Sequence, residues 1–171
     1  RASNMDLELK DKVAIVGGAS KGLGRACAEV LAEEGMKVVM CSRSQADLDQ
    51  AAQAIRAKTK AEVLAFAGDL EKNEVIQKLV ATAAEKYGRI DVLISNSGGP
   101  PLAKSIDATE AQWAVAVERS LLFFARMARE VLPHMRKQKS GRIINILAST
   151  VYQPIPNLAL SGATRMGVVA F

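Results

Sequence analysis

The first residues that indicate chemistry are three glycines in the stretch Gly18 to Gly24. This stretch follows the apolar run Val13 to Val16 directly and opens a segment of helical period. At such a turn one glycine permits the tight bend, one lets the backbone approach a phosphate, and one lets the helix pack closely on the strand. The helix N-terminus adds an anion site. The order of strand, turn and helix predicts a site for a dinucleotide pyrophosphate. The alternative is a turn with only a structural role.

Alternating strand and helix patterns must position this turn. Five apolar runs bounded by turn residues predict buried parallel strands. They are Val13 to Gly17, Lys37 to Cys41, Glu62 to Ala67, Asp91 to Ser95 and Arg142 to Leu147. Residues at helical spacing lie between them, namely Leu23, Cys27, Val30 and Leu31; Leu48, Ala52 and Ile55; Val75, Ile76, Leu79 and Val80; and Trp113, Val117, Leu121, Phe124, Ala128 and Leu132. The alternation predicts an α/β fold with a doubly wound parallel sheet, in which ligands bind beyond the carboxyl ends of the strands.

The end of the second predicted strand bears on which dinucleotide would bind. An acidic residue there normally accepts a hydrogen bond from a free ribose 2′-hydroxyl. This chain instead carries Ser42 and Arg43. Arg43 can form a charge-assisted contact to a 2′-phosphate, Ser42 can donate to it, and Lys21 adds a second cation. We therefore expect NADP(H) to be favoured over NAD(H), the alternative being that Arg43 and Lys21 are solvated surface charges.

Four motifs follow one another along the chain. They are Gly18-x-x-x-Gly22-x-Gly24, Asp69-Leu70, Asn96-Ser97-Gly98, and Gly141-Arg142-Ile143-Ile144-Asn145-Ile146. From about Lys10 to Phe171 the set resembles the short-chain dehydrogenase/reductase family, especially its 3-oxoacyl-acyl-carrier-protein reductase-like members. The resemblance implies a Rossmann-like, three-layer α/β/α domain. It also implies that the backbone around Ser20 to Leu23 holds the pyrophosphate, that Asp69 and Leu70 border the adenine, and that the Asn96 segment lies by the adenosine ribose. A plain loop is the alternative for Asn96, Ser97 and Gly98.

The resemblance also identifies candidate catalytic residues, all of which depart from the family pattern. Family members use a tyrosine as general acid, a lysine four residues later, a serine on the preceding loop and an asparagine in the fourth helix. Ser161 stands at the tyrosine position, Arg165 at the lysine position and Ser120 at the asparagine position. Ala148 stands at the serine position, with Ser149 one residue later. A serine hydroxyl is a poor acid beside tyrosine, whose free pKa is about 10.

Two functions remain open for such a site. The first is an NADP(H)-dependent oxidoreductase that reduces a ketone or 3-oxoacyl-type carbonyl, with Ser149, a bound water or the nearby Tyr152 as proton donor. In that enzyme Arg165 would orient the nicotinamide ribose, Ser149 would hydrogen-bond the carbonyl oxygen, and Ser161 would complete the donor path. The second is a catalytically inactive nucleotide-binding pseudoenzyme that acts as a sensor or structural subunit. A different chemistry on the same fold is a third possibility.

Chain length and assembly give further expectations from the resemblance. The family's usual chain continues beyond the helix that contains Ser161, so we expect residues 5–171 to be a single, incomplete NAD(P)-binding domain without the last strands and helices. Residues 1–4, which precede Met5, resemble a vector remnant. The long fourth helix resembles the one through which relatives pair, which suggests a homo-oligomer, a dimer or tetramer. Its apolar face is equally consistent with ordinary core.

Composition narrows the classes of protein that remain possible. The 171 residues are 49% hydrophobic and 24% charged, as in ordinary globular domains. No apolar run approaches the length of about 20 residues that a membrane helix needs, so we expect a cytoplasmic protein. The net charge of +5 is spread along the chain, which argues against nucleic acid. Cys27 and Cys41 fit no metal spacing, and neither Trp113 nor the single histidine, His134, has a pattern of catalytic partners.

Overall fold

The computed structural model describes residues 6–171, so the expected remnant at residues 1–4 lies outside the described residues. A parallel sheet of five strands in the order β3-β2-β1-β4-β5 forms its centre. The strands are β1 (Val13–Gly17), β2 (Lys37–Ser42), β3 (Val63–Ala67), β4 (Val92–Ser95) and β5 (Arg142–Asn145). The helices are α1 (Gly22–Glu33), α2 (Gln45–Thr59), α3 (Asn73–Tyr87), α4 (Glu110–Val117), α5 (Phe123–Lys137) and α6 (Ala159–Ala170). A π-helical turn (Glu118–Leu122) joins α4 to α5, and a 3₁₀ turn (Ser149–Val151) precedes α6.

Successive strand residues point to opposite faces of the sheet, and each face has its own apolar layer. Ala14 and Val16 of β1 pack with α1 and α2 on one face, whereas Ile15 packs with α3 and α5 on the other. The three inner strands, β1, β2 and β4, are therefore buried from both sides, which explains their nearly continuous apolar sequences. The edge strand β5 is exposed on the face that carries Arg142 and Ile144. The predicted doubly wound, three-layer α/β/α sheet is confirmed. The fifth strand ends at Asn145 rather than Leu147, because its neighbour β4 ends at Ser95 and offers no further pairing partner.

The apolar face predicted for α1 is partly wrong. Leu23 is 66% exposed and Val30 is 54% exposed. The sheet instead receives the small residues Gly24, Ala28 and Ala32. Because α1 begins immediately after a tight turn, it lies too close to β1 for large side chains to fit between them. Small residues carry a weak hydrophobic signal, which is why the periodicity favoured the neighbouring leucine and valine.

The face predicted for the long fourth helix is also displaced. Phe124 and Ala128 are buried as expected, but Trp113, Val117, Leu121 and Leu132 are only partly buried. The π-helical turn adds a residue to the local repeat and so rotates the buried face relative to a regular helix. The buried residues of this segment include Ala116, Ser120, Phe123, Met127 and Val131.

Asp91, directly before β4, joins the amino ends of three strands through its buried carboxylate and its backbone. Asp91, which is 4% exposed, accepts from the backbone N–H of Val13 at 2.9 Å. Arg89 donates to both of its oxygens, from Nε at 2.8 Å and from Nη2 at 2.7 Å. The Asp91 backbone carbonyl accepts from the N–H of Arg142 on β5 at 2.8 Å. Burial opposes ionisation of Asp91, but the hydrogen bonds from Arg89 and Val13 outweigh it and hold its pKa below the usual value.

The substitution Asp91→Asn tests this tie. At pH 7 we expect it to lower the free energy of unfolding by about 2–3 kcal/mol, since it leaves Arg89 without its charge partner. A carboxylate with a depressed folded pKa stabilises the fold above its unfolded pKa of about 3.9, and that contribution is lost as the pH falls through the folded value. The difference between wild type and variant should therefore shrink below about pH 4. Urea unfolding in steps from pH 7 to pH 3 measures it.

Asp49→Asn, on the exposed side of α2, is the matched control and should unfold like wild type. A stability difference for Asp91→Asn that stays constant down to pH 3 would contradict this account of the carboxylate.

Candidate functional site

A cavity of about 370 Å³ opens beyond the carboxyl ends of β1, β2, β3 and β4. Residues from the connections that follow these four strands line it. The lining residues are Gly18, Ser20, Lys21, Ser42, Arg43, Ser44, Asp47, Gly68, Asp69, Leu70, Glu71, Asn96, Ser97, Gly98, Arg119 and Phe123. Ten of the thirteen residues predicted to bind a cofactor are among them. Gly22, Leu23 and Gly24 do not line the cavity, and the side chain of Leu23 points into solvent.

The glycine turn has the geometry that its spacing predicts. Gly18 has a φ of 57°, in the left-handed region that side chains disfavour. A Cβ on Gly24 would contact the carbonyl oxygen of Gly18 and lie 2.8 Å from that of Gly17. Any side chain at position 24 would therefore separate α1 from β1. The turn holds the start of α1, and with it the free N–H groups of the first helical turn, against the edge of the cavity.

Asn96, directly after β4, braces this turn from the neighbouring strand. Its Nδ2 donates to the carbonyl oxygens of Gly17 and Gly18, each at 3.4 Å. A Cβ on Gly18 would lie 2.7 Å from the same nitrogen, so side-chain bulk at position 18 is excluded by contact as well as by φ. The Asn96 amide thus helps to fix the turn.

Charges of both signs surround the end of β2. Lys21 and Arg43 are exposed cations at the cavity rim, and Asp47 and Asp69 also line it. The Ser42 hydroxyl donates to the backbone carbonyl of Ser44 at 3.4 Å. Ser44 begins α2, since its hydroxyl accepts from the N–H of Asp47 at 3.3 Å. This rim presents two cations and a helix N-terminus to a bound anion.

Hydrogen bonds hold the loop after β3 beneath the cavity. The Asp69 carboxylate accepts from the backbone N–H of Glu71 at 3.1 Å. Cys41 lies under this loop, with its thiol directed at the Gly68 carbonyl at 3.8 Å. Burial, together with the charge of Asp69, raises the pKa of the Cys41 thiol to about 12, so the thiol stays protonated. Cys41 is therefore a packing residue.

Of the predicted catalytic residues, Ser149 lies at the surface, whereas Ser120, Ser161 and Arg165 are buried. Ser149 is exposed at the start of the 3₁₀ turn. Ser161 is 6% exposed and its hydroxyl lies 3.4 Å from that of Thr150. Ser120 is fully buried on the π-helical turn, and its hydroxyl has no hydrogen-bond partner within residues 6–171. Sequence reasoning missed Thr150, although its position directly after Ser149 and β5 is a signal that it lies near the site.

Arg165 lies one helical turn after Ser161 on α6, and we call Ser161, Thr150 and Arg165 the Ser161 cluster. The Arg165 side chain lies against the sheet, 5% exposed, with Nη1 donating to the Ile146 carbonyl at 3.1 Å. The guanidinium carbon lies 5.9 Å from the ring centroid of Phe124, and Nε has no partner in the described part of the chain. Burial lowers the pKa of Arg165 from its ordinary value. Arg165 remains a cation whose buried Nε N–H has no partner in residues 6–171, held in a largely apolar setting.

Tyr152 lies elsewhere. It is 91% exposed and forms part of the wall of a second, more apolar cavity of about 790 Å³. Gly162, Ala163 and Met166 of α6 line that cavity, whereas Ser161 and Arg165 do not. Thr150, whose hydroxyl lies 3.4 Å from that of Ser161, also lines this cavity, but the Tyr152 hydroxyl forms no hydrogen bond with Ser161 or Arg165 in the described residues.

Residues 6–171 also lack two kinds of feature. They contain no group of three or more His, Cys, Asp or Glu side chains placed to hold a metal ion. No helix among them is long and apolar enough to cross a membrane.

Comparison with known proteins places the chain among relatives. Residues 12–171 match the family model described as short chain dehydrogenase. An uncharacterized oxidoreductase of Staphylococcus saprophyticus is 34% identical over 163 residues, covering 95% of this chain and 69% of the relative. L-Sorbose reductase from Gluconobacter frateurii, solved with NADPH and L-sorbose, superposes with a TM-score of 0.93 at 29% identity, covering 98% of this chain and 64% of that one.

A second solved structure, NAD⁺-bound xylitol dehydrogenase, superposes with a TM-score of 0.89 at 25% identity and covers 95% of this chain. The present chain spans 63% of that protein, and so less than two thirds of either solved structure. The family model and the oxidoreductase of Staphylococcus saprophyticus both match nearly all of the present chain. The chain belongs to the short-chain dehydrogenase/reductase family.

Proposed function

We propose that the cavity at the carboxyl ends of the strands binds a nicotinamide dinucleotide, with NADP(H) preferred. The observation that carries this proposal is the convergence of the glycine turn, the Arg43 rim and the Asn96 segment on one cavity. The positive φ of Gly18 and the close packing at Gly24 fit a backbone that approaches a pyrophosphate. The similar L-sorbose reductase was solved with NADPH, which supports the same class of ligand here.

The preference for NADP(H) rests on this chain's own residues. The two solved relatives carry different nucleotides, NADPH in one and NAD⁺ in the other, so family membership does not decide the choice. Lys21 and Arg43 favour the extra phosphate, whereas Asp47 and Asp69 oppose it. Arg43 is the deciding residue in this proposal, because it stands at the end of β2, where an acidic side chain would select a free 2′-hydroxyl.

We further propose that the chain is an oxidoreductase acting on a ketone or 3-oxoacyl-type carbonyl. The bound dinucleotide would supply the hydride. Arg165 would orient the nicotinamide ribose, and the exposed Ser149 would donate to the carbonyl oxygen of the substrate. The Ser161 hydroxyl, or a water held by it, would complete the donor path, and the proton consumed would come finally from solvent water. Because aliphatic hydroxyls are weak acids, turnover should be slower than with a tyrosine donor.

A specific observation favours the alternative of nucleotide binding without turnover. Ser161 and Arg165 are both more than nine-tenths buried, and Arg165 already donates to the backbone of Ile146. A cluster in this arrangement can serve purely to fasten α6 to the end of β5. In that case the chain would bind the dinucleotide as a sensor or structural subunit.

Assembly and location stay predictions. Met166 and Val169 form exposed apolar positions on α6, which supports a homo-oligomer in which a second subunit covers them. A cytoplasmic location rests on composition alone.

Arg43→Ala tests the cofactor preference. Loss of a charge-assisted contact to the 2′-phosphate should raise the Kd for NADPH by about tenfold or more, whereas the Kd for NADH should change less than about twofold. Calorimetric titration of both nucleotides measures this. Arg136→Ala, an exposed arginine in the last turn of α5, is the control and should leave both values unchanged. Equal loss of affinity for NADPH and NADH would contradict the assignment of Arg43.

The double substitution Ser149→Ala with Ser161→Ala tests the proton path. We expect kcat for NADPH oxidation, measured with a panel of ketones and 3-oxoacyl thioesters, to fall by about 100-fold or more, while the Kd for NADPH is retained. Turnover unaffected by the pair would remove both serines from the mechanism. Tight NADPH binding without wild-type turnover across the panel would establish the binding protein instead.

A further inference from the structure

Arg119 is a residue of the cavity that the sequence did not indicate. It lies on the π-helical turn, one residue before Ser120, and its partly buried side chain lines the cavity between the loops after β3 and β4. Nε donates to the Glu71 carboxylate at 2.7 Å. Nη1 donates to the backbone carbonyl of Gly99 at 3.3 Å. One guanidinium thus contacts both loops.

The backbone of Arg119 adds a third contact. Its carbonyl oxygen accepts from the Ser97 hydroxyl at 3.0 Å. Arg126, two turns further along the helix, donates to the backbone carbonyl of Glu71 at 3.4 Å and to the side chain of Glu118 at 2.6 Å. The Asp69 to Glu71 loop is therefore held at two points, by Arg119 and by Arg126. The Ser97 to Gly99 loop is also held at two points, both of them on Arg119.

We propose that Arg119 is a positioning residue that sets the width of the cavity by clamping these two loops. The inference rests on the proposed dinucleotide site, since the clamped loops are those that would border the adenine and its ribose. Arg119 acts through Glu71 and the loop backbone. Without the clamp the loops sample open arrangements, and the apparent affinity falls with the fraction of molecules that stay competent to bind.

The effect of Glu71→Ala on NADPH binding distinguishes a clamp from a simple source of positive charge. Removing a carboxylate from the cavity wall would strengthen binding of an anionic dinucleotide if Arg119 served only as a source of positive charge. If Arg119 works as a clamp, the same change weakens binding, because the guanidinium loses its anchor on the loop after β3. The sign of the Glu71→Ala effect therefore separates the two roles.

The experiment is a double-mutant cycle with Arg119→Ala and Glu71→Ala, in which NADPH binding is titrated by calorimetry. We expect each single variant to raise the Kd by about tenfold, and the double variant to be little worse than either one. Arg119→Lys should recover part of the affinity, because an ammonium can reach one loop but cannot span both as the planar fork does. Arg129→Ala is the matched control, since that exposed guanidinium bonds Asn73 and Glu130 outside the cavity.

Hydrogen exchange without any nucleotide gives a second, independent reading. Arg119→Ala should speed exchange of the Glu71 amide, which donates to the Asp69 carboxylate at 3.1 Å, while the amide of Ile15 in the central strand keeps its protection. Faster exchange throughout the sheet would mean general destabilisation and would overturn the clamp. Tighter NADPH binding by Glu71→Ala, or unchanged binding by Arg119→Ala, would overturn it too. A wild-type chain that fails to bind NADPH would instead refute the proposed function, and the cofactor role of Arg119 with it.

Discussion

The close approach of α1 to β1 at Gly24 is the contact on which the remaining site depends. A side chain at that position would meet the carbonyl oxygens of Gly17 and Gly18, so the helix could not start where it does. The position of α1 fixes the free N–H groups at its first turn beside the cavity. It also explains why Ala28 and Ala32, rather than larger residues, face the sheet. The Asn96 amide holds the same turn from the adjacent strand.

From this turn the cavity is built by one connection after another along the sheet edge. β2 contributes the cationic rim, β3 the Asp69 loop and β4 the Asn96 segment, and Arg119 spans the last two of these. The polar cluster around Arg165 lies at the carboxyl end of β5, against α6. The cavity proposed to bind the nucleotide and the residues proposed for carbonyl chemistry thus lie at different strand ends. The nucleotide cavity can therefore be retained even where the residues proposed for carbonyl chemistry have changed.

Much of this arrangement was predictable because it depends on local patterns. The strands appear as apolar runs, and the glycine turn requires particular residues at particular spacings. The exposed Leu23 was misjudged because close packing selects small residues, which periodicity weights little. The π-helical turn has no clear sequence signature, so the rotated face that buries Ser120 and Phe123 could not be foreseen. Arg119 was missed because a charge in a helical segment usually indicates a solvated face, and only the fold brings Glu71 and Gly99 to it.

The central claim is that the strand-end cavity is a dinucleotide site, and calorimetric titration of the folded chain with NADPH tests it most directly. The account predicts saturable binding of one NADPH per chain, with weaker binding of NADH. Absence of NADPH binding by protein whose circular dichroism shows the α/β fold intact would contradict it.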